Sequence, residues 1–126
     1  MKHYSLTPDC ADGICPVETT LNLISGKWKG IILYRLLGGK KRFGELKKIM
    51  PAITYRTLTL QLRQLEADGI VTRTVYAEVP PRVDYELTAL GESMRPIIQS
   101  MYDWGMAYQQ QEQRQNVGLE SPMDTK

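Results

Sequence analysis

The stretch Thr54-Tyr55-Arg56-Thr57-Leu58-Thr59-Leu60-Gln61-Leu62-Arg63-Gln64-Leu65-Glu66-Ala67-Asp68-Gly69 decides how this chain is read. Leu58, Leu62 and Leu65 recur at i, i+4 and i+7, which lines up one buried stripe on an α-helix. The opposite face holds Arg56, Leu60 and Arg63, with Tyr55 and Thr59 at one flank and Thr57 and Gln64 at the other. Thr54 is a good N-cap, although Thr57 stands where Glu or Gln would complete a capping box. Asp68-Gly69 ends the helix on a residue that accepts positive φ. A leucine-anchored helix with an exposed, basic N-terminal turn fits a major groove, where the N-terminal residues reach base edges. The same leucine spacing also marks an ordinary amphipathic surface helix, so the neighbouring sequence has to decide.

Upstream, Lys40 to Phe43 leads into a short helix carrying Leu46 and Ile49, and Met50 to Ile53 is a turn of the length found between the two helices of a helix-turn-helix. Downstream, Val71, Arg73, Val75 and Ala77 alternate with Thr72, Thr74 and Tyr76, and Val83, Tyr85 and Leu87 alternate with Asp84 and Glu86. Both runs read as strands of an antiparallel pair. The stiff connection Glu78-Val79-Pro80-Pro81-Arg82 is no two-residue hairpin turn and projects as a loop. The expected fold is therefore α+β and mainly helical: a winged helix-turn-helix with a two-stranded wing.

Charge supports this reading. Between Gly26 and Arg82 there are twelve basic and four acidic side chains, a net +8, whereas the whole chain is only +2. A segregated basic patch displaces counterions from a phosphate backbone and binds it in a salt-dependent way. Tyr55, Arg56, Thr59, Leu60 and Arg63 are thus the expected base-facing residues. Lys40, Lys41, Arg42, Lys47, Lys48, Arg73 and Arg82 are the expected phosphate or wing contacts, with Arg82 meeting phosphate or the minor groove.

Two further helices are expected before this unit, from Pro16 to Ile24 and from Trp28 to Leu37, the second burying Trp28, Ile31, Ile32 and Leu36. After the wing, Thr88 caps a long helix on which Leu90, Met94, Ile97, Met101, Trp104 and Tyr108 form a heptad-like seam. Pro96 should bend it. This helix is read as the dimerisation helix of a homodimer. From Gln109 onward the residues are Gln-rich with little to bury, which predicts a fraying helix end and a disordered tail. The domain reading is an N-terminal arm at 1–15, a winged helix-turn-helix domain at 16–108 and a polar tail at 109–126.

The chain's 126 residues suit one compact domain. Met1 to Asp12 is polar, and no segment approaches the ~20 apolar residues of a membrane span. A cytoplasmic protein without membrane contact is expected. Two cysteines make no disulfide framework and matter, if at all, by reactivity. Pro16 fits the first helical position and makes Cys15 the N-cap, where the helix dipole favours a thiolate and Asp12 and Glu18 oppose one. Cys10 lies five residues earlier, near enough for a disulfide across the Gly13 loop. His3, Cys10 and Cys15 lack a fourth ligand, so no metal and no cofactor is expected. Enzyme activity is not expected either, since a thiol enzyme needs a general base and His3 is the single histidine. The reading of a different class is a winged helix used only to bind proteins, whose mark is weak, salt-insensitive DNA binding.

The residues Cys15-Pro16-Val17-Glu18, Gly26-Lys27-Trp28, Arg42-Phe43-Gly44-Glu45-Leu46, Leu65-Glu66-Ala67-Asp68-Gly69-Ile70-Val71, Val79-Pro80-Pro81-Arg82-Val83-Asp84-Tyr85-Glu86-Leu87-Thr88 and Trp104-Gly105 follow one another in order. Over this span the chain resembles the HxlR family of bacterial transcription regulators. The resemblance implies a dimeric winged helix-turn-helix on a palindromic double-stranded DNA operator, with dimer contacts from the first and last helices. It also implies that some members sense electrophiles or oxidants through a cysteine before the Pro-Val-Glu run, here Cys15, while others answer a different, small-molecule inducer. Family members with intersubunit disulfides use a second cysteine further along the chain, whereas this one has only Cys10. A Cys15 to Cys15′ or Cys10 to Cys15′ bond stays open.

Overall fold

The computed structural model describes residues 13–123, with side chains described as far as residue 116. Cys10, and the expected arm before Gly13, lie outside the described residues. The element order is α1 (Pro16–Ile24), α2 (Lys29–Leu36), β1 (Lys41–Arg42), α3 (Phe43–Ile49), α4 (Tyr55–Ala67), β2 (Val71–Tyr76), β3 (Arg82–Leu87), α5 (Ala89–Ser93) and α6 (Arg95–Met123). This is a winged helix-turn-helix with a long C-terminal helix. Among the described residues no helix is long and apolar enough to cross a membrane. Internal contacts divide the chain between Glu92 and Ser93, whereas the sequence reading drew one domain through Tyr108.

The core of the first unit forms around α4. Leu58, Leu62 and Leu65 are fully buried, as their spacing predicts, together with Ile32, Leu33 and Leu36 of α2 and Leu46 of α3. Burying such side chains contributes about 1.5–3 kcal/mol each. The end of α4 is a Schellman motif: Ile70 N–H donates to the Leu65 carbonyl at 3.0 Å and Gly69 N–H to the Glu66 carbonyl at 2.9 Å. Gly69 takes φ 76°, a conformation that glycine adopts without a Cβ penalty. The chain then turns directly into β2, with Ile70 and Val71 buried.

Several expectations are corrected here. The sheet has three strands in the order β1-β3-β2, because Lys41 and Arg42 pair with Tyr85 and Asp84. That extra strand converts β3 from an edge into the centre. Asp84 and Tyr85, the two residues of β3 that β1 pairs with, are both buried. Ile49 is exposed, and Met50 and Ile53 of the turn fill the core instead. In α2 the buried face is Ile32, Leu33 and Leu36; Ile31 is exposed and Trp28 precedes the helix.

Thr88 caps a helix as expected, but a short one. Its hydroxyl donates to the Gly69 carbonyl at 2.6 Å and accepts from Gly91 N–H at 3.1 Å, fastening α5 to the α4–β2 junction. The expected single bent helix is broken into α5 and α6 at Met94, since Pro96 has no N–H to offer and its ring excludes the carbonyl four residues back. In the expected seam Met94 is buried, and Leu90, Ile97, Met101, Trp104 and Tyr108 are exposed. Helix α6 runs on to Met123, past the point where a tail was expected. Gln, Glu and Arg between 109 and 115 have little to bury but are good helix formers, and propensity carries the backbone onward.

A Cβ on Gly91 would collide with the Ile70 carbonyl and meet Leu87 side-chain carbons at 3.1 and 3.2 Å. Gly91→Ala should therefore destabilise the protein by about 1–3 kcal/mol, and Leu62→Ala by about 2–5 kcal/mol. Urea midpoints measure both, and an unchanged midpoint for Gly91→Ala contradicts the packing of α5 on the α4–β2 turn.

Candidate nucleic-acid interface

The exposed edge of α4 is set by its buried edge. Thr54 accepts the Thr57 N–H at 3.1 Å and its hydroxyl meets that of Thr57 at 3.0 Å, so a threonine pair takes the place of the missing capping-box glutamate. With the leucines inside, Tyr55 is 65% exposed and Leu60 51%, Arg56 and Arg63 are exposed, and Thr59 is half-buried. All five expected base-facing residues thus belong to one surface of one helix.

An aromatic ladder links this surface to the wing. Phe43, the first residue of α3, stacks on Tyr55 with ring centroids 6.1 Å apart and 18° between planes, and its ring also meets Tyr85 of β3 at 6.5 Å. Lys47 lies 5.1 Å over the Tyr55 ring and donates to the Pro51 carbonyl at 3.3 Å. Tyr55 is therefore supported at its ring by Phe43 and by the Lys47 ammonium. Sequence reasoning missed Phe43 and Tyr85 as supports. A lone aromatic has no periodicity to reveal it.

The basic residues divide into two groups. Lys48, Arg56, Arg63 and Arg73 are exposed and make no ion pair among the described residues; Arg42 is likewise exposed, and its backbone N–H donates to Glu45 at 2.8 Å, starting α3. Lys40 approaches Glu86 at 4.0 Å across solvent, a contact of little energetic weight. Arg82 differs from the rest. It lies beside Glu78, Asp84 and the Tyr76 ring, although it was expected to reach outward. Between α4 and the wing is a cleft of about 440 Å³ whose walls include Arg42, Arg63, Arg73 and Arg82 over Phe43 and Tyr85. Three guanidiniums without an ion-pair partner around one cleft suit a polyanion backbone.

The HxlR-like helix-turn-helix family model matches residues 23–113. This chain belongs to the HxlR-like family. It is a helix-turn-helix transcription regulator. The HTH-type transcriptional regulator YdeP of Bacillus subtilis is 60% identical over 94 residues, covering 75% of this chain and 73% of YdeP. The redox regulator HypR in its oxidised form is 58% identical with a TM-score of 0.71, over 74% of this chain and 96% of that structure. Reduced HypR is 56% identical with a TM-score of 0.73, over 75% and 94%.

Cys15 occupies the N-cap of α1 with Pro16 following, as the sequence predicts, and is half-buried. Its carbonyl accepts the Thr19 N–H at 3.0 Å, so the residue is tied to the first turn. Cys10, the other expected redox residue, lies outside the described residues.

Proposed function

We propose that this HxlR-family protein is a homodimeric, sequence-specific regulator that binds a palindromic operator. Helix α4 enters the major groove with Tyr55, Arg56, Thr59, Leu60 and Arg63 toward base edges, while Lys40, Lys41, Arg42, Lys47, Lys48 and Arg73 hold phosphates. The observation that carries this reading is the pinned orientation of α4: its leucines are buried, so its arginines face outward beside the wing. Self-association is supported by apolar side chains left in solvent on two helices, Val17 and Leu21 on α1, and Ile97, Met101, Trp104 and Tyr108 on α6. Trp104 and Tyr108 stack at 5.2 Å, a preformed flat surface that a second copy covers.

Cys15 is the thiol through which oxidation or alkylation switches binding. Its place at the start of α1 supports this, as does the similarity to HypR, a redox regulator solved in both oxidised and reduced forms. A modified thiol displaces the first turn of α1, and because α1 contributes to the dimer, half-site spacing changes with it. DNA readers of this type are sensitive to such spacing.

Fluorescence anisotropy on the duplex upstream of the protein's own gene, against a scrambled duplex, tests both parts. Arg63→Ala should cost about 1–3 kcal/mol on the preferred duplex and relax sequence choice, whereas Lys48→Ala should weaken both duplexes alike and lower the salt slope by about 1. If neither change alters binding, α4 is not the reading helix. Oxidant should alter the affinity of the wild type and leave Cys15→Ser unaffected; a Cys15→Ser protein that still responds overturns the thiol switch.

A further inference from the structure

The wing contains one cation near its tip, Arg82, and the contacts of that residue point inward. It is the cross-strand partner of Tyr76 at the last pair of the β2–β3 ladder. Its guanidinium lies 4.0 Å over the Tyr76 ring. Nη1 is 3.6 Å from Glu78 Oε2, and Nε is 3.5 Å from Asp84 Oδ1. The Asp84 side chain is only 9% exposed, and that of Arg82 27%. At 3.5 Å, with neither atom otherwise hydrogen-bonded, the Nε–Oδ1 contact is an ion pair and not a hydrogen bond.

These contacts come from the end of β2, the tip loop and the middle of β3. They matter because of where β1 stops. Its two residues cover only Asp84 and Tyr85, so beyond that point β2 and β3 continue as an uncovered two-stranded ribbon. Such ribbons are marginal alone. Charge leads to the same conclusion: two carboxylates face one guanidinium, which leaves no surplus positive charge for a phosphate. Turning Arg82 outward to DNA would leave the buried Asp84 carboxylate without compensation, an expensive arrangement. Arg73, three pairs inward from Arg82 and opposite Tyr85, is exposed with no ion pair among the described residues.

We infer that Arg82 is a positioning residue: it braces the wing ribbon through Tyr76, Glu78 and Asp84, and it does not contact phosphate. The inference rests on the DNA-reading role proposed above and reassigns one residue within it. Lysine cannot replace arginine in this role, because the planar fork stacks on Tyr76 and reaches two carboxylates at once, whereas an ammonium is a point charge. A phosphate contact, by contrast, tolerates lysine.

Wild type, Arg82→Lys, Arg82→Gln and Arg73→Gln are compared in two measurements. The first is the salt dependence of binding to a mixed-sequence duplex, and the second is amide hydrogen exchange of the free protein over 74–84. Arg73→Gln should lower the slope of log K against log salt by about 0.9, the value for one lost phosphate contact, and leave exchange as in the wild type. Both Arg82 variants should keep the wild-type slope, bind several-fold more weakly at every salt concentration and exchange several-fold faster in the wing. A slope reduced by about 0.9 in Arg82→Gln, wild-type behaviour of Arg82→Lys in both measurements, or unchanged wing exchange overturns the inference. Should the wild type ignore the duplex altogether, the DNA-reading proposal fails. Exchange in the free protein then still decides whether Arg82 braces the ribbon.

Discussion

Burial of one leucine stripe governs the rest of this fold. Leu58, Leu62 and Leu65 are wholly inside, which fixes the rotation of α4 about its own axis. A turn of the helix large enough to hide Arg56 or Arg63 would expose leucines worth about 1.5–3 kcal/mol each, a large fraction of the net stability of a small domain. Both helix ends reinforce the orientation. At the start, the Thr54–Thr57 pair satisfies an N–H, and at the end the Schellman hydrogen bonds deliver Ile70 and Val71 straight into the core. Helix α2, β2 and the turn residues Met50 and Ile53 complete the same core.

From that anchor the proposed nucleic-acid surface extends outward through β3. Lying between β1 and β2, β3 brings Tyr85 to Phe43, which in turn stacks on Tyr55, so the wing and α4 share an aromatic seam. The basic residues follow from this placement: Arg42 of β1, Arg63 of α4 and Arg73 of β2 are held around one cleft by strands and a helix and not by a loop. Positioning of this kind separates register from sequence choice, with phosphate contacts setting the first and base edges the second.

Much of this was legible in the sequence, and the reasons differ by element. Helix α4 was readable because three leucines at helical spacing leave one solution for its buried face. The wing strands were readable from β-branched alternation and from the prolines between them. Strand β1 was not, since two basic residues carry no period and their pairing with β3 is a tertiary event. The burial of Asp84 was hidden for the same reason. Pro96 signalled a disturbance without its size, and the structure shows a break at Met94. The Gln-rich segment misled because lack of apolar surface predicts no packing, yet helix propensity needs none. In the candidate site, the outward residues of α4 and Cys15 at the N-cap of α1 were read directly. The inward turn of Arg82 was not, because it depends on a carboxylate whose burial the sequence does not reveal.

On the function proposed above, α4 reads base sequence in a twofold-related pair. The most direct test is selection of bound duplexes from a randomised pool by the purified protein, followed by sequencing. Enrichment of one inverted repeat whose half-sites are centred about 10–10.5 base pairs apart, or a multiple of that, is expected, with loss of the enrichment when Arg63 is replaced by alanine. A pool that stays random while still binding, or a single asymmetric site, would contradict it.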